Sequence, residues 1–232
     1  MNTLEIQTRL KQLGFDPGAL DGIPGRNTTA AVLAFQRANG LADDGVAGPA
    51  TLQALFPDRP RQRLATAGIP WLELAHRKLG LHEGRDNAAL REFLVSDRHT
   101  LGDPAELPWC GDFVETCIAV TLPREPLPAN PYLARNWLKF GKAVEPTLGA
   151  IAVYWRGSPQ GIQGHVAFLV GRGTDGQGRG VFYNLGGNQS NSVSVSAIDS
   201  ARLLECRWPL SVASGTIELA AMAGGRLTVN EA

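Results

Sequence analysis

Apolar positions in the first 57 residues recur at helical spacing in three runs. Leu4, Leu10 and Leu13 predict a first helix that closes at Gly14; Ala31, Val32 or Leu33, and Phe35 predict a second that closes at Gly40; Leu52 and Leu55 predict a third. Residues 56–63 are a proline-spaced charged stretch and read as a boundary between domains. Helical periodicity returns from Pro70 to Gly80, with proline near the first turn and glycine as the stop, and again from Asn87 to Val95. From Gly149 the texture changes to short apolar runs divided by glycine-rich turns. Residues 150–155, 165–170, 181–185, 193–198 and 203–208 predict the strands of an antiparallel meander. Helices followed by strands predict an α+β fold, with the helices packed on one face of the sheet. Residues 211–232 show no clear period, and a loosely ordered tail is expected there. The expected organisation is a small three-helix domain at 1–57, a linker at 58–68, an α+β domain at 69–210 and a tail at 211–232.

Composition narrows the function classes. Hydrophobic residues make up 44% and charged residues 19% of the chain, as in a globular protein, and no window approaches the ~18 apolar residues a membrane span needs. Lys plus Arg and Asp plus Glu stand at 22 each, so no bulk field draws a nucleic acid or an anionic membrane. Met1 to Glu5 lack the basic and apolar regions of a secretory signal, so synthesis in the cytoplasm is expected. Cys110, Cys117 and Cys206 have neither metal-finger nor CxxC spacing and form no disulfide framework, so at least one thiol is free. A monomer without cofactor is expected.

A short repeat stands out in the first domain. Asp21, Gly22, Gly25 and Thr28 share the pattern D-G-x-x-G-x-x-T with Asp44, Gly45, Gly48 and Thr51. Each copy reads as a turn that launches a helix. With Leu10 to Phe15, Ala31-Val32, Phe35-Gln36 and Gly40-Leu41, these residues resemble the common peptidoglycan-binding module along its whole length. That resemblance implies peptidoglycan as the partner. The glycines are turn chemistry, and Phe35 and the leucines are core, so no ligand-contacting residue is singled out.

Candidate chemistry lies in the second domain. Residues 108–118 read as the start of a buried helix with Cys110, Phe113, Val114 and Cys117 on one stripe. Cys110 sits in its first turn, where unpaired N–H groups and the helix dipole favour a thiolate; Cys117 lies about 10 Å further along the axis at 1.5 Å per residue. Cys117 and Cys206 suit the ordinary role of small buried hydrophobes. His76, His82 and His99 sit in charged contexts and read as surface residues, whereas His165 opens an apolar strand, on one face with Ala167 and Leu169. A hairpin centred near Asp175-Gly176 sets His165 opposite Gly186, with Asn188 diagonal to it and Asn184 as the alternative. A plain turn at residues 186–191 is an equally open reading of that composition. Asp112 is a local oddity, since a carboxylate near Cys110 opposes thiolate formation.

Pro108-Trp109-Cys110 with Phe113-Val114, Ala134 to Leu138, Gly149 to Val153, Gly164 to Phe168 and Leu185 to Gln189 occur in an order that resembles papain-like cysteine hydrolases of the NlpC and CHAP type. The resemblance spans residues 69–209 and implies a papain-like catalytic domain with Cys110 as nucleophile, His165 as base and Asn188 as the orienting residue. Trp109, Glu83 and Asn87 are the candidate substrate-binding residues. Many CHAP enzymes carry Glu two residues before the Asn, where this chain has Gly186. Asp97, Asp103 and Glu106 do not form the acidic run with which some bind calcium, so no metal is expected. Together the two resemblances imply a peptidoglycan hydrolase, amidase or endopeptidase, of the phage-endolysin kind. It would act on the cell wall after release. The alternatives are a secreted interbacterial effector and a non-catalytic wall-binding phage protein. A muramidase needs paired carboxylates, and Glu73, Glu83 and Glu106 form no such pattern; a zinc amidase needs histidines at ligand spacing, which are missing.

Overall fold

The computed structural model describes residues 3–57 apart from 42, 44, 46 and 48, then residues 68–175 and 177–222. Most of the expected linker and the last ten positions of the tail lie outside the described residues.

Three helices, α1 (Thr3–Gln12), α2 (Arg26–Ala38) and α3 (Pro49–Leu55), form the first body. Their core is Ile6, Leu10, Ala31, Val32, Phe35 and Leu55, and Phe15 packs edge-on against Phe35 with ring centroids 5.4 Å apart. Leu4 and Leu13, expected in that core, are exposed. The stripe that α1 buries runs through Ile6, Gln7 and Leu10, because residues three and four apart share a face.

Gln7 explains the first repeat. Its Oε1 accepts from the Gly22 N–H at 2.8 Å, and its Nε2 lies 3.1 Å from Asp21 Oδ1 and 3.1 Å from Thr28 Oγ1. Gln36 on α2 serves the second copy in the same way, accepting from the Gly45 N–H at 2.8 Å and donating to Thr51 Oγ1 at 3.0 Å. Both glutamines are buried, so Asp21, Gly22 and Thr28 of the first copy and Gly45 and Thr51 of the second are the polar partners they meet.

The second body is α+β, as expected. Helices α4 (Pro70–Arg77), α5 (Asn87–Leu94) and α6 (Cys110–Thr121) precede a 3-10 turn at Ala134–Lys139 and the strands β1 (Lys142–Val144), β2 (Ile151–Trp155), β3 (Gly164–Thr174), β4 (Gly180–Gly186), β5 (Ser194–Asp199) and β6 (Leu203–Trp208). The six-stranded sheet has the order β1-β6-β2-β3-β4-β5. Strands β2 to β5 are the expected meander. Strand β6 then returns to the free edge of β2, and the three-residue β1, which no periodicity marks, pairs outside it. Tyr154 and Val166 are fully buried on the two central strands, which read as unbroken apolar runs because both faces are covered.

Helix α6 packs on β3 and on α4, and Trp71 of α4 donates to Gly149 O at 2.8 Å while standing edge-on to Trp208. In the β3–β4 hairpin the Asp175 carboxylate accepts from the Gln177 and Arg179 N–H groups and pairs with the Arg179 side chain. Phe168 stands opposite Leu185, and the register slips at a bulge between Leu169 and Gly171. Continued past the end of β4, this register brings the chain level with His165 at Asn188 rather than at Gly186.

Residues 211–222 are not loose. Thr147 Oγ1 accepts from the Ile217 N–H at 2.8 Å, Leu219 is buried, and Ala220 and Met222 exchange backbone hydrogen bonds with Arg172. The segment runs parallel to β3 at Arg172, beyond the stretch that β2 covers. Glu125 anchors its start by accepting from the N–H groups of Leu210, at 2.5 Å, and Ser211, at 2.9 Å.

Candidate active site

Trp109 caps α6 and its carbonyl accepts the Phe113 N–H at 3.0 Å, so Cys110 is the first helical residue. Gly111 follows because the carbonyls of Pro131 and Tyr132 press on the helix there; an added Cβ would fall 2.8 Å from Tyr132 O. Cys110 is 6% exposed, and the backbone N–H groups of Val166 and Gly111 point at its sulfur. Burial pushes the thiol above its ordinary value, and those N–H groups and the Arg156 charge only partly pull it back. The helix start therefore does not deliver the lowered thiol expected from position alone, because desolvation of a fully enclosed sulfur outweighs it. Cys117 and Cys206 are buried and pushed higher still, Cys206 to about 12, as structural thiols.

The Val166 N–H places Cys110 one residue from His165 along β3. His165 is fully buried, and its Nε2 lies 3.2 Å from Gln189 Oε1. Asn188, expected in that place, is instead in left-handed backbone at φ 53°, followed by Gln189 and then by Ser190 and Asn191 at 54° and 59°. This sharp reversal turns the Gln189 side chain inward, toward the imidazole. Asn and Ser tolerate that conformation better than most residues.

The Gln189 amide has no freedom to flip. Its Nε2 faces the carbonyls of Ser194 at 2.6 Å, Asn184 at 3.2 Å and Gly186 at 3.3 Å. With its NH2 committed to three acceptors, its oxygen must face the ring, so His165 carries its proton on Nε2 and Nδ1 is the basic nitrogen. Asn184, the alternative orienter, supports this arrangement one step back: its Oδ1 accepts from the Tyr154 hydroxyl at 2.9 Å and its side chain donates to Phe182 O. The signal for Gln189 lay in the run Leu185 to Gln189, where the glutamine follows the residue that pairing geometry selected.

Of the candidate substrate-binding residues, Trp109 is enclosed, whereas Glu83 and Asn87 are half-buried. Trp109 is 1% exposed and donates from Nε1 to Glu83 Oε2 at 2.8 Å. Its ring lies so close to Gly187 that an added Cβ there would fall 2.5 Å from it. Glu83 is also held by its N–H to Asn191 O at 2.9 Å, and Asn87 donates to Asp103 at 2.9 Å. These contacts tie the loop before α5 and the start of α6 to the turn that carries Gln189. His82 is not a simple surface residue either: its Nδ1 accepts from the Gly84 N–H at 3.0 Å. Asp112 points away from the sulfur, accepting from Thr100 Oγ1 at 3.0 Å and the Leu101 N–H at 2.9 Å, and burial raises its carboxyl to about 6.

Residues 2–55 match the family described as "putative peptidoglycan binding domain". N-acetylmuramoyl-L-alanine amidase CwlM of Mycobacterium tuberculosis (strain ATCC 25618 / H37Rv) is 47% identical over 51 residues, which are 22% of this chain. The chain covers only 13% of that relative's length. No solved structure matches.

Proposed function

We propose that this chain is a peptidoglycan hydrolase that cleaves an amide bond of the stem peptide or of its muramyl link through Cys110, His165 and Gln189. The observation that carries the reading is the buried contact between His165 on β3 and Gln189 in the turn after β4, with the Cys110 sulfur at the neighbouring Val166 N–H. The match of residues 2–55 to a peptidoglycan-binding family supports the substrate, since a tethered module raises the local concentration of a weakly held polymer.

Burial keeps Cys110 a neutral thiol at rest, so His165 acts as a general base. Nδ1 takes the thiol proton as sulfur attacks the amide carbon, and the oxyanion forms beside the Cys110 N–H at the positive end of α6. The imidazolium then protonates the departing amine, and water hydrolyses the thioester with His165 again as base. Gln189 holds the ring in the tautomer that both steps require, the part first assigned to Asn188.

The amidase relative shares the wall-binding part alone, so the choice between amidase and endopeptidase rests on product identity. A lytic enzyme of the phage-endolysin kind, released onto the wall after synthesis, suits this pairing of modules. The raised Cys110 thiol is the one observation that favours a non-catalytic wall-binding protein instead. Digestion of purified peptidoglycan with mass analysis of the fragments decides among these. Fragments cut at an amide, absent with Cys110→Ala, are expected; new reducing sugar ends, or intact walls with the unaltered chain, contradict the proposal.

A further inference from the structure

On the side of α6 turned away from β3, three acidic side chains and a histidine converge. Asp97 and His99 come from the loop between α5 and α6, and Glu115 from the second turn of α6. One ligand atom from each of Asp97, His99 and Glu115 lies within 4.8 Å of the other two. Glu115 is only 2% exposed, and its Oε2 has no hydrogen-bond partner; the same is true of the buried Oδ2 of Asp97. Asp112, fully buried on the same helix, presents a third partnerless oxygen, Oδ1. The Asp97 Oδ1 accepts the His99 N–H at 3.0 Å, a tight turn that sets both side chains on one side of the loop.

Burying carboxylates against each other without a counter-charge is costly, and such groups are ordinarily paired, protonated or bound to a metal. Among the described residues, these carboxyls form no ion pair with a Lys or Arg. Burial, and then the neighbouring Asp97 and Asp112, push Glu115 well above the usual carboxylate range. His99 is exposed and gives an ion a path in from solvent.

We propose that Asp97, His99 and Glu115 form a binding site for a zinc-type divalent cation, with Asp112 as a nearby negative charge. One imidazole and two carboxylates are ligands of that class, and calcium would require six to eight oxygens. Around an ion bound at about 2.1 Å, tetrahedral ligand atoms lie roughly 3.4 Å apart, so the observed spread closes with small side-chain rotations. The bound ion takes the place of the proton that a buried carboxyl otherwise holds. It ties the α5–α6 loop to the helix that begins at Cys110, which makes it a structural ion. This site stands independently of the catalytic reading.

The test is calorimetric titration of the chelator-stripped full chain with zinc ion alone, together with cobalt(II) absorption spectra. One equivalent is expected to bind, raising the thermal midpoint. Cys110→Ala should bind equally well, and the cobalt spectrum should lack thiolate charge-transfer bands. His99→Ala changes an exposed side chain and leaves the core intact; it should weaken binding more than about tenfold, at least the effect of losing a group that only hydrogen-bonds to a ligand. Glu115→Gln should do the same. No uptake would overturn the proposal. Uptake unchanged in His99→Ala, or lost in Cys110→Ala, would place the ion elsewhere and overturn it equally.

Discussion

At the scale of single residues, the arrangement turns on which nitrogen of His165 carries its proton. Gln189 decides this because its NH2 is spent on three carbonyls, whereas Asn188 is spent on backbone conformation. Gln189→Ala should therefore lower kcat about 100-fold, the scale of a mispositioned general base. Asn188→Gly, which keeps the left-handed backbone, should change kcat less than about threefold. Steady-state release of amino groups from peptidoglycan checks both. Asp112 offers a second residue-scale test. Its folded carboxyl titrates near 6 against an ordinary 3.8, so the protonated form is favoured by folding. Its stabilising contribution is complete below pH 3.8 and is lost as pH rises through about 6. In chelator, Asp112→Asn should raise stability at pH 7 by about 3 kcal/mol and flatten the change between pH 4 and 6. Denaturant melts across that range measure it.

At the scale of elements, α6 was legible because Cys110, Phe113, Val114 and Cys117 fall on one helical stripe, and all four are buried. The strands from 150 onward were legible for the same kind of reason. What the pattern did not show was contact made far along the chain. Strand β6 closes back on β2, β1 is too short to display a period, and the tail is ordered by Thr147, Arg172 and Glu125 rather than by a rhythm of its own. Gln189 escaped for a related reason: strand parity selects a face only while the chain stays extended, and residues 188–191 do not. Two predictions belong here. Gly111→Ala sets a methyl against the Pro131 and Tyr132 carbonyls and should cost on the order of 3 kcal/mol in a thermal melt. Glu125 is held below its ordinary range by the Ser211 and Leu210 contacts, which outweigh its burial. Its contribution is present above about pH 4.5 and is lost as pH falls, and Glu125→Gln should loosen the tail, read as faster amide exchange at residues 217–222.

At the scale of the whole molecule, the described residues form two separate hydrophobic cores. The first is a small helical body whose repeat is held by buried Gln7 and Gln36, and it is the part that similarity to known proteins reaches. Gln36→Ala leaves the Gly45 N–H and the Thr51 hydroxyl without that partner, at about 1–3 kcal/mol for each buried group. It should abolish sedimentation with insoluble peptidoglycan while sparing cleavage of soluble wall fragments. The second core brings the Cys110 sulfur to the Val166 N–H, next to His165 and its partner Gln189. The most direct test of that site is the release of free amino groups from purified peptidoglycan by the full chain beside Cys110→Ala. Steady release by the unaltered chain and none above background with Cys110→Ala is expected; equal release by both would contradict catalysis by Cys110.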